Sequence, residues 1–141
     1  MSATNALETA IRKIIDEATA DATWTALTGA STFYISLHTA SPGDAGDQTT
    51  SETAYTGYAR VAVSRGTDGW TVTAGSSVND ATIAFGQCTA SPGAAISYVG
   101  RGLSSSGAGT LLEYIALDNA ITLQVGSVPE FSAGALAFTA D

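Results

Sequence analysis

The feature that most constrains this chain is a change of hydrophobic period near residue 32. Before it, Leu7, Ile11, Ile14, Ile15 and Ala18 fall at offsets of 0, 4, 7, 8 and 11, the spacing of one helix face. After it, the alternation in Thr32-Phe33-Tyr34-Ile35-Ser36-Leu37-His38 sends Phe33, Ile35 and Leu37 one way and Tyr34, Ser36 and His38 the other, the pattern of a half-buried strand. The spacing therefore predicts a helix over 5–18, with Asn5 as its cap and Glu8 three residues on. The stretch 19–28 is expected to be a loop carrying Trp24.

Further strand-like runs are expected at 57–64, 69–73, 81–88, 95–101, 110–117, 119–125 and 134–139, separated by Gly, Ser or Asp118-Asn119. Short, regularly spaced strands with no helical pattern between them argue for antiparallel layers rather than βαβ units. The expected fold class is mainly β: an antiparallel β-sandwich, read as an eight-stranded jelly roll, with one N-terminal amphipathic helix. An immunoglobulin-like seven-stranded sandwich is the alternative, because periodicity does not reveal strand pairing. The expected division is a helix and arm over 1–30 and a sandwich over 31–141. The word Thr-Ala-Ser-Pro-Gly occurs at 39–43 and again at 89–93, but the flanking residues do not match, so a duplication is not inferred.

Charge narrows the function classes. Thirteen acidic residues against five basic ones leave a net charge of −8, which opposes the phosphate neutralisation that nucleic-acid binding depends on. No apolar run approaches the ~20 residues that span a bilayer, and Met1-Ser2-Ala3-Thr4-Asn5 has no basic start or apolar core of a signal peptide. Neither nucleic acid nor membrane is expected as a partner. Cys88, the single cysteine, cannot form an intrachain disulfide and reads as a small buried hydrophobe.

No catalytic, cofactor or metal site is expected. His38 is the only histidine and reads as a sheet-surface residue, since a metal needs three or four converging ligands. Asp44, Asp47, Gln48 and Glu52 share one Gly-containing loop whose spacing fits no calcium loop, so it is expected to be long, exposed and solvated. Gly102 to Gly109 lacks the lysine of a phosphate loop and leads into a strand, as a hairpin connection would. Trp70 and Tyr58 alternate within strand-like runs and read as core, leaving Trp24 and Tyr55 as aromatic interface candidates. The candidate interaction residues are thus Leu7, Ile11, Ile14, Ile15, Trp24, Asp44, Asp47 and Tyr55. The helix stripe is expected either to pack on its own sheet or to dock on another subunit.

One further pattern covers most of the chain. Asn5-Ala6-Leu7-Glu8, the strand and turn from Phe33 through Leu37-His38-Thr39-Ala40-Ser41-Pro42-Gly43-Asp44, Gly57-Tyr58-Ala59-Arg60-Val61, Ala81-Thr82-Ile83-Ala84-Phe85 and Phe131-Ser132-Ala133-Gly134-Ala135-Leu136 together resemble a family of small tailed-phage structural proteins. Members are often labelled tail-fibre proteins, while similar small β-rich phage proteins serve as capsid cement, some with a jelly-roll fold. The resemblance implies a non-enzymatic virion protein without cofactor, made in the host cytoplasm and carried on the capsid surface. On this reading it decorates and stabilises the major capsid protein lattice as a homo-dimer or homo-trimer. The alternative is a tail-fibre or tail-tip module that binds a host receptor.

Overall fold

The computed structural model describes residues 2–139; Met1, Ala140 and Asp141, at the outer ends of the two expected segments, lie outside the described residues. In chain order the elements are β1 (Ser2–Ala3), α1 (Asn5–Glu17), α2 (Ala22–Gly29), β2 (Thr32–His38), β3 (Val61–Ser64), β4 (Trp70–Thr73), β5 (Ser76–Asn79), β6 (Ile83–Ala84), β7 (Ile96–Gly102), β8 (Leu111–Ile121), β9 (Glu130–Phe131) and β10 (Ala137–Thr139). The strands form three sheets with the orders β1-β8-β7-β2-β3, β10-β5-β4 and β6-β9, and their pairings are antiparallel. Among the described residues the protein is mainly β, with two helices and no closed barrel.

The differences from the expected layout have local causes. Grouping the strands as five, three and two replaces the two four-stranded layers of a jelly roll. Asp118-Asn119 does not end the strand, since β8 runs from Leu111 to Ile121, but it falls where the register against β7 shifts between Ala116 and Ile121, and both polar side chains are exposed. Ser76 to Asn79, which reads as a turn, is a strand because β4 and β10 supply ladder partners on both sides. The 57–64 run shortens to Val61–Ser64 because Tyr58 and Arg60 enter a polar network instead.

The helical region also departs from expectation. Asn5 is the first residue of α1, not its cap, and the preceding Thr4 makes no side-chain cap bond. Its hydroxyl donates instead to the carbonyls of Leu111, at 2.5 Å, and Leu112, at 3.2 Å, fixing the start of α1 to β8. The expected 19–28 loop contains a helix, α2, whose first turn is capped by the Asp21 carboxylate accepting from the Trp24 amide at 2.9 Å. This is the ordinary chemistry of an aspartate N-cap. At the other end, the Ala30 N–H donates to the Leu27 carbonyl and the Arg65 guanidinium donates to the carbonyls of Leu27 and Ala30, supplementing the few bonds a helix end makes internally.

One core joins all three sheets. Phe33, Ile35 and Leu37 of β2, Ile96 and Val99 of β7 and Leu112 of β8 pack with Trp70, Phe138, Ile83 and Phe131 of the smaller sheets, and with Phe85, Cys88 and Leu123. Cys88 is fully buried, as expected. The opposite face of β2 is closed as well: Ser36 and His38 are wholly inaccessible, because the 44–54 segment folds back over them.

Candidate functional site

The interaction residues read from the sequence scatter over three regions. On α1 the stripe splits: Leu7 and Ile14 are half-buried, while Ile11 is 39% and Ile15 66% exposed. Leu7 packs against the margin of the core. Trp24 lies half-buried on α2. Tyr55 is corrected as an interface candidate, being 3% exposed with its hydroxyl donating to the Gly86 carbonyl at 2.8 Å. Burial pushes that hydroxyl's pKa up.

The 44–54 segment is only in part the solvated loop expected: Asp44, Thr49 and Ser51 are exposed, while Gln48 and Thr53 are buried. The Asp44 carboxylate accepts from the Tyr114 hydroxyl at 2.7 Å, and the Asn5 amide donates to the Asp44 carbonyl. Asp47 accepts from the Thr49 hydroxyl at 2.6 Å and the Thr49 amide at 2.8 Å, bonds that hold its carboxyl below the usual range. Gln48 is fully buried; its Oε1 accepts from the Ser104 amide at 2.9 Å and its backbone N–H donates to the Gly109 carbonyl. Glycine is required beneath it, since a Cβ on Gly102 would stand 2.2 Å from Gln48 Cδ and one on Gly109 would stand 2.5 Å from Gln48 Oε1. The glycine-rich 102–109 connection therefore serves packing.

His38 corrects the surface reading: it is 0% exposed. Nδ1 lies 2.8 Å from the Thr50 carbonyl and Nε2 lies 2.8 Å from Ser36 Oγ. A carbonyl only accepts, so Nδ1 carries the proton and the Ser36 hydroxyl donates to Nε2. Burial lowers the imidazole pKa, against smaller upward effects of the Thr50 bond and Glu52. Alongside, the Tyr58 hydroxyl donates to Glu52 Oε1 at 2.7 Å and accepts from the Leu37 amide. Arg60 pairs with the same carboxylate and donates to the carbonyls of Ser104 and Gly107. These bonds occupy the groups that could do acid–base chemistry, and the cluster acts as a fastening between two connections. Among the described residues no group of three or more His, Cys, Asp or Glu side chains could hold a metal ion.

A further site escapes the sequence reading. Arg101 pairs in register with Ile35 and Glu113, so it points to the core side of the five-stranded sheet. Its guanidinium carbon stands 4.4 Å from the Phe138 ring centroid, 4.7 Å from Trp70 and 5.1 Å from Phe33, cation–π distances. Its Nη1 donates to Ser77 Oγ at 3.2 Å and its Nη2 pairs with Glu113. Arg65 stands 6.0 Å from the Phe33 ring. Together these side chains line an open depression of about 460 Å³ that also includes Val72. The one available signal was parity, since Arg101 shares a face with Val99 at a position that otherwise calls for an apolar residue.

The model of the family described as Podophage GP4 fiber I protein gp80 matches residues 3–139 of this chain. No curated protein matches it.

Proposed function

The chain belongs to the podophage GP4 fiber I protein gp80 family, a family of phage virion structural proteins, and from that premise we propose that it is a small β module of the fibre apparatus of a tailed-phage particle. A structural fibre family supports a non-enzymatic role and a place in the virion. No helix among the described residues is long and apolar enough to cross a membrane. The observation that carries the fibre reading is the match itself, which runs through nearly every element of the fold and bears a fibre description.

In this reading the layered body presents two surfaces. Ile11 and Ile15, exposed on α1, form the attachment face toward a neighbouring virion subunit or a second copy of the chain. The arginine-lined depression between the five-stranded and three-stranded sheets contributes to host recognition. The earlier expectation, decoration of the major capsid protein lattice, retains support from the chain's small size and its charge of −8, which suit repeated weak contacts added over many equivalent sites.

Cryo-electron microscopy of the parent particle separates the two. Density for this module on the tail or its fibres is the expected result. Density bridging capsid subunits over the shell overturns the fibre reading and restores the decoration one.

A further inference from the structure

The chain has only five basic residues, and their placement is uneven. Arg12 and Lys13 lie on α1, where Arg12 stands 3.8 Å from Asp16. Arg60 is held by Glu52. The remaining two, Arg65 and Arg101, line one depression with no carboxylate among its lining residues; Arg101 also pairs with Glu113 behind it, while Arg65 is exposed and donates to the Leu27 and Ala30 carbonyls. Asp68, close by in sequence, borders a different one.

Two N–H donors of its lining residues, Arg101 Nε and Trp70 Nε1, are buried without an acceptor. Buried donors are nearly always paired, so two orphans among the residues lining one depression mark a place suited to an incoming acceptor. The rest of the lining alternates hydroxyls and hydrocarbon: Thr67 and Ser77 offer hydroxyls, and Val72 is 70% exposed. At about 460 Å³ the depression falls among sites that take small groups rather than long segments.

We propose that this depression binds an acidic sugar residue, its carboxylate held by Arg65 and Arg101 and its ring lying against Val72 among the Thr67 and Ser77 hydroxyls. A guanidinium matches a carboxylate at two points. A pyranose ring has hydroxyls at its rim and hydrocarbon on its faces, which is the alternation the lining shows. The proposal rests on the fibre reading for the source of the sugar, an acidic polysaccharide of a host surface, and not for its chemistry.

The test is calorimetric titration of the full chain with trigalacturonate, alongside maltotriose, tetraglutamate and inorganic phosphate. Trigalacturonate is expected to bind and the neutral trisaccharide not to. Arg65→Ala and Val72→Glu, both at exposed positions, are each expected to weaken it by about tenfold or more, the first by losing one charged hydrogen bond and the second by setting a like charge against the carboxylate. Because Arg65 also holds the end of α2, Val72→Glu tests the site without that contact. No binding of trigalacturonate, or binding unchanged in both variants, overturns the proposal. Equal or tighter binding of tetraglutamate or phosphate overturns it too, in favour of an acidic peptide or a simple anion. Shell density in the parent particle, with trigalacturonate binding intact, removes the fibre reading and leaves this site standing.

Discussion

Arg60 grips Glu52 at two points inside the protein, Nε to Oε1 and Nη2 to Oε2, each at 2.7 Å. The side chains are 2% and 14% exposed, so water does little to weaken the pair. The same guanidinium spans to the Ser104 and Gly107 carbonyls, and so one side chain ties the 44–54 segment to the 102–109 connection. Removing a single partner leaves a buried charge without its counterpart. Arg60→Ala should cost about 3–5 kcal/mol, read as a lowered urea midpoint. Replacing both residues with methionine should cost less than the single change.

The His38 imidazole sits below its ordinary value of 6.5, chiefly because it is buried. The folded state therefore favours the neutral ring, and as pH falls below 6.5 the unfolded chain takes up its proton first. The stability His38 supplies is full above that pH and shrinks as the solution is acidified through the window beneath it. Melting temperatures of the native chain and of His38→Gln, taken at about pH 7.5 and about pH 5.5, should show the gap between them narrowing on the acid side.

Gly102 faces Gln48 with no room for a methyl group, the added Cβ coming within 2.2 Å of Gln48 Cδ. Gly102→Ala should destabilise by about 1–3 kcal/mol through overpacking. Truncating Gln48 to alanine in the same chain should recover part of that loss, because the two residues meet. Full additivity in denaturant titrations would count against this account.

Ile15, at 66% exposed, contributes little to the isolated fold. Ile15→Asp should change unfolding free energy by no more than about 0.5 kcal/mol, as surface substitutions do, while abolishing attachment to the partner if α1 is the docking face. Ile14 is the poorer probe, since it is half-buried. Light scattering at several protein concentrations, and incorporation into particles, read the two effects separately.

How much was legible in the sequence depends on whether the decisive contact was local. The strand at 32–38 and the helix from residue 5 follow from period alone, because each buries a face that its own spacing defines. Period could not show that the second face of β2 is covered too: Thr50 and Glu52 lie more than ten positions from His38, and only the folded chain brings them over it. The α2 helix was missed because Thr and Ala residues give it no apolar stripe, although Asp21 three residues before Trp24 is a readable cap. Asp118-Asn119 was read as a turn on composition, and the structure keeps part of that preference as a register shift between Ala116 and Ile121 within one long strand. Of the candidate residues, Ile11 and Ile15 are exposed and Tyr55 is not. The Arg65 and Arg101 pair, far apart in sequence and ordinary in composition, was invisible until strand register put both beside Phe33.

The strand order also dictates when this chain can fold. β2 lies between β7 and β3 in the largest sheet, yet Tyr34 waits for Gly102, and Ser2 for Tyr114. On the ribosome, Phe33, Ile35 and Leu37 emerge with neither their central partner strand nor their core, and stay uncovered while most of the remaining chain is made. Folding that depends on such distant pairings runs on the millisecond-to-second scale, and an apolar strand left open for that interval is a natural target for chaperones and for clumping between nascent chains. Protecting that early strand until its neighbours arrive is therefore one condition on how much of this protein a cell can fold.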